Sequence, residues 1–126
     1  MGLAWAEHLS VGNEMIDSEH KNLIVAVNNV EEAIETGDRD ALSKSFDQLD
    51  TCMYNHFRNE EIIAKAVEFP FAQNRLEHGH LLKEMRYMRA ELENINGIWP
   101  DYLVKKYTRF LSGWMTDHII KEDMQM

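Results

Sequence analysis

A chain of 126 residues is one domain's worth of sequence, and its 44% hydrophobic content with three tryptophans allows a buried core, so disorder is excluded. Thirteen Lys and Arg against 22 Asp and Glu leave a net charge of −9, which speaks against nucleic acid and against anionic membrane surfaces as partners. The lone cysteine, Cys52, rules out an internal disulfide and fits a reducing compartment. No apolar run approaches the ~20 residues of a membrane span. The N-terminus MGLAWAEHLSVG lacks a basic-then-apolar leader, and Ala6 stands where a myristoylation motif needs Ser or Thr. The expected product is a cytoplasmic protein with residues 1–126 as a single domain.

The elements follow from three breaks, Gly37-Asp38, Pro70 and Pro100, which divide the chain into four helical stretches after an extended N-terminal arm. The first helix is predicted to start near Asp17 or Ser18, either of which can cap it, and to end with Gly37 as C-cap. His20 is in phase with its apolar face of Leu23 or Ile24, Val27, Val30 and Ile34. The second runs from about Asp40 past Ile63, on a seam of Leu42, Phe46, Leu49, Met53, His56, Glu60 and Ile63. Cys52 lies one position off that seam and reads as a small packed residue.

The third helix begins shortly after Pro70 and continues to about Asn96, with Asn74, His78, Leu81, Met85, Met88, Leu92 and Ile95 in register. The fourth follows Pro100, turning Leu103, Tyr107, Phe110 or Leu111, Trp114 and His118 inward. Four helices of this length joined by short loops predict an all-α, antiparallel up-down-up-down four-helix bundle.

Every helix thus carries a polar residue on its apolar seam. One histidine on such a face is usually a hydrogen-bonded core residue, and a His–Glu pair four apart often lies on a surface. Their conjunction argues differently. In antiparallel helices His20, the pair His56 and Glu60, the pair Asn74 and His78, and His118 with the acidic tail all reach one bundle end. Burying several imidazoles and carboxylates separately would cost a few kcal/mol each. A shared metal pair relieves those costs together, and the donor set suits iron, with zinc and manganese as rivals. Spacing alone favours Glu122 over Asp123 as the last donor, since a five-residue step from His118 turns about 140°.

The stretches WAEHLSVG, IDSEHKNL, NHFRNEE, FPFAQ, RLEHGHLLKE and WMTDHIIKED, in this order, resemble the hemerythrin family and its bacterial single-domain members. That resemblance implies a bundle holding two non-heme irons, bridged by an oxygen atom and by the carboxylates of Glu60 and Asp123. It selects Asp123, because the family's last motif is a histidine and an aspartate five apart. His20 and His56 would complete one iron, and His78 and His118 would ligate the other. The implied function is reversible binding of dioxygen at an open iron position, with Trp114, Leu111, Phe57 and Ile24 as expected pocket walls.

One departure stands out. The family's third helix supplies two histidines four apart, where this chain has Asn74 and His78. His80 is turned about 200° from His78 and is read as exposed. The iron nearest His78 and His118 is therefore expected to bind less tightly than its neighbour. A di-iron or mono-iron oxidase or peroxidase, a nitric oxide or iron binding module, and a metal-free bundle are the competing readings.

Overall fold

Each apolar stripe read from the sequence needs a partner surface, and helix-on-helix packing supplies it. The computed structural model describes residues 14–68, 70 and 72–117, apart from the side chains of Gln73, Asn74 and Asp117. Within that range four helices follow one another: α1 (Glu14–Thr36), α2 (Arg39–Ala66), α3 (Ala72–Asn94) and α4 (Asp101–Asp117). No strand occurs among the described residues, and the architecture is a four-helix bundle. None of the described helices is long and apolar enough to cross a membrane. The expected N-terminal arm lies outside the described residues.

The α1–α2 connection shows how local chemistry sets the bundle direction. Gly37 takes a positive φ of 71°, and the Asp38 amide donates to the Ala33 carbonyl at 3.1 Å, closing α1 with a Schellman turn. The next residue reverses the chain: Asp38 caps α2, its carboxylate accepting from the Ala41 amide at 3.0 Å. One helix ends and the next begins within two residues, so α2 folds back along α1. The predicted start of α1 needs correction, because the helix already includes Glu14 and places Asp17 and Ser18 inside it. The reason is Ile16, which is buried one turn before His20 and extends the apolar face towards the N-terminus.

The core is a continuous cluster containing Leu23, Val27, Val30 and Ile34 of α1 and Leu42, Phe46, Leu49 and Met53 of α2. From α3 it takes Leu81, Met85, Met88 and Leu92, and from α4 Leu103, Tyr107, Leu111 and Met115. Each fully buried side chain of this size stabilises the fold by about 1.5–3 kcal/mol. Ile63 and Ile95, expected on the seams, are only half-buried where their helices run out of partners. In α4 the inward positions run Leu111 to Met115, so Trp114 is half-buried and packs on the cluster from its edge. Cys52 also packs against the cluster, and burial pushes its thiol pKa up.

Polar ties hold the end of the bundle away from His20. Arg39 at the start of α2 donates to the Leu92 carbonyl in α3's last turn and to the Gly97 carbonyl beyond it, and its guanidinium lies 5.1 Å above the Trp99 ring. Trp99 in turn donates its indole N–H to Leu92 at 2.8 Å. Glu31, a buried carboxylate on α1, accepts from Ser112 of α4 at 2.6 Å. Burial raises its pKa despite that hydrogen bond.

Candidate metal centre

His56 and Glu60 are one turn apart on α2, so the helix alone brings their side chains to one face. The antiparallel return of α1 then lays His20 across them, its ring centroid 4.8 Å from that of His56 in an edge-to-face arrangement. All three side chains have no solvent exposure. One potential ligand atom from each lies within 4.8 Å of the others, so the three can share a single cation. Two imidazoles and a carboxylate enclosed in apolar packing make a donor set suited to a borderline transition metal. The residues present therefore fit iron.

The imidazole of His56 is held from both sides. Its Nδ1 lies 3.1 Å from Oε1 of Glu19, and its Nε2 meets Oε1 of Glu60. A neutral imidazole donates from one nitrogen only. With Nδ1–H donated to Glu19, Nε2 is left as a lone pair aimed at the Glu60 side of the site. Glu19 is itself held by the amide of Asn59, which donates to its other oxygen. An outer carboxylate on the far nitrogen of a metal-binding histidine is a common device for setting tautomer and ring orientation. Sequence reasoning missed both Glu19 and Asn59. Their only signal was adjacency to His20 and Glu60, because neither belongs to an apolar seam.

Helix α3 brings His78 to the same end of the bundle. Its ring stacks on Phe57 of α2, with centroids 3.8 Å apart and planes 8° from parallel. Phe57 also packs 6.0 Å from His56, so this phenyl ring links the two imidazoles. His78 is 7% exposed, unlike the fully enclosed His20 and His56. His80 is exposed, as its helical phase predicts. Asn74 has its backbone in α3, while its side chain, together with His118, Glu122 and Asp123, lies outside the described residues. Of the expected pocket walls, Phe57 is in place beside His78, Ile24 and Leu111 are in the core, and Trp114 is at its edge.

The profile described as the hemerythrin HHE cation binding domain matches residues 11–126. Bacteriohemerythrin of Stenotrophomonas maltophilia is 25% identical to this chain over 122 residues, covering 96% of the chain and 76% of that protein. Bacteriohemerythrin of Methylococcus capsulatus is 29% identical over 108 residues, covering 85% of the chain and 79% of that protein. A third protein of that name, from Pseudomonas aeruginosa, is 20% identical over 122 residues.

Proposed function

The chain belongs to the hemerythrin family, whose members bind non-heme iron, and on that premise we propose that it binds dioxygen reversibly at a pair of irons. His20, His56 and Glu60 would hold one iron, and His78 and His118 the other. Glu60 and Asp123 would lend carboxylates to both, and Asn74 stands where the second site would have another histidine. The observation that carries this reading is the enclosed cluster of His20, His56 and Glu60, built from two helices with no solvent exposure. Two adjacent ferrous ions supply the two electrons that reversible dioxygen binding draws on.

The chain's own residues supply the setting. Glu19 holds the proton of His56 at Nδ1 and so keeps Nε2 available as a donor. Leu23, Ile24, Met53 and Phe57 keep bulk water from the neighbourhood of His20 and His56, strengthening every charge interaction inside. Phe57 sets the plane of the His78 ring.

Metal analysis followed by cycles of oxygenation and degassing tests the proposal. The expected result is two irons per chain and a visible absorption that appears with dioxygen and disappears without it. An Asn74→His variant is expected to hold its second iron more firmly, by about one decade in affinity. Unchanged iron content and spectrum in that variant would remove Asn74 from the argument. A stoichiometry of one iron per chain would instead select a mono-iron or iron-binding module built on His20, His56 and Glu60.

A further inference from the structure

Two open stretches of one groove run between α3 and α4, with volumes of about 540 and 480 Å³, and they meet at Glu84 and Phe110, which line both. The floor is apolar: Met88 and Tyr107 lie under one stretch, Leu81 and Trp114 under the other. Phe110 and Trp114 are only half-buried there, and Tyr87 on the rim is 66% exposed. A contiguous apolar strip rimmed by charge is the usual form of a protein contact face. The two rims differ in sign. Residues seven apart lie two turns apart on one helix face, and Glu77, Glu84 and Glu91 occupy such positions in α3. Glu77 and Glu84 line the groove, while Glu91 accepts the hydroxyl of Tyr107 from its floor. Lys83 is the one lysine on that rim. The α4 rim carries Lys106 and Arg109 and no carboxylate. Glu84 stands across the groove from both cations, yet none of these three joins an ion pair among the described residues.

We propose that this groove docks a second copy of the chain, with the acidic α3 rim of each protomer seated on the basic α4 rim of the other. The unlike rims select a copy as the occupant. A twofold axis running along the groove lays one protomer's α3 over the other's α4, so both contacts join Glu84 to Lys106 and Arg109. An axis across the groove would set α3 on α3 and oppose like charges. The favoured operation also closes the two apolar floors on each other and takes Tyr87, Phe110 and Trp114 out of water. A face two helices wide and about 20 Å long is at the small end of specific interfaces, so the dimer is expected at micromolar rather than nanomolar concentrations. None of these residues is a metal ligand in the dioxygen reading, and the docking stands or falls apart from it.

Sedimentation velocity on the purified chain, from about 1 to about 500 μM at low salt, should show a monomer–dimer equilibrium. Glu84→Lys reverses the α3 rim, and Lys106→Glu combined with Arg109→Glu reverses the α4 rim. These positions are exposed, so helix content by circular dichroism should match the parent. Each reversed variant alone should raise the dissociation constant at least about tenfold, because like charges then meet at both contacts. An equimolar mixture of the two should dimerise again, since every contact then joins unlike charges. Tyr87→Ala, which removes apolar rim surface and no charge, should weaken the dimer about tenfold. A monomer at every concentration overturns the proposal and leaves the groove to a partner of another sequence. A dimer that both reversals leave intact overturns it too, because the contact then lies on another face. So does a mixture that stays monomeric while both variants keep the parental helix content. Where a reversal costs helix content, Tyr87→Ala decides, and an unchanged dissociation constant in that variant overturns the docking.

Discussion

The α1–α2 pair and helix α3 contribute to the same end of the bundle in different ways. On the α1–α2 side, His20, His56 and Glu60 are wholly enclosed, and a carboxylate and an amide behind them fix the imidazole that joins the two helices. On the α3 side, His78 stacks on Phe57 and borders a cleft between α2 and α3 that Gly79 also lines. The ties of α3 to α2 include ion pairs at both ends, Arg75–Glu61 near the site and Arg89–Asp47 far from it. Exposed pairs of this kind hold position more than they add stability. The two sides of this bundle end thus differ in how closely their histidines are enclosed.

The largest effect should come from breaking the enclosed side. His56→Ala removes an imidazole held between two carboxylates, leaving Glu60 buried without it, at a cost of about 3–5 kcal/mol. Urea melts of the metal-free variant measure that cost, and iron should no longer bind at this side. A melt within experimental scatter of the parent would show that the enclosure is not structural.

Next comes the group behind the ligand. Glu19→Ala should weaken metal binding about 10- to 100-fold. The discriminating readout is rescue: Glu19→Gln keeps an oxygen that can accept the Nδ1–H of His56 and should recover part of the lost metal affinity. A merely structural role for Glu19 would make affinity in the two variants follow their melting temperatures alone.

The open side should respond less to the same kind of truncation. His78→Ala loses a stacked contact with Phe57, worth about 0.5–1.5 kcal/mol beyond its buried area. Thermal melts should therefore place it well above His56→Ala. Equal losses in the two variants would erase the distinction between the sides.

The smallest effect belongs to the opposite half of α1. Burial holds the folded-state pKa of Glu31 above its unfolded value, so the folded protein binds more protons than the unfolded one in that interval. Stability accordingly falls as pH rises from about 4.3, the ordinary glutamate value, towards the raised value, and levels off above it. Glu31→Gln keeps an acceptor for Ser112 and should gain about 1 kcal/mol or less at neutral pH, with no gain under acid. Denaturant melts at two pH values check the sign.

Periodicity and punctuation alone carried the four helices, because Gly37, Asp38, Pro70 and Pro100 act on the backbone locally and the apolar spacing is intrinsic to a 3.6-residue turn. The meeting of His20 with His56 and Glu60 was also legible, since in-phase seams on antiparallel helices leave those residues nowhere else to go. Less legible were the ends and the drift. Ile16 extended α1 beyond its apparent cap, and Met115 took the inward position that three-residue spacing assigned to Trp114. Tertiary packing alone decided the rest. Glu19 reaches His56 across 37 positions of chain, Phe57 lies flat on His78, and Gly79 lines a cleft between α2 and α3. A helical pattern records which face a residue occupies. It holds no information on the rotation and separation of two helices, which side-chain packing between them determines.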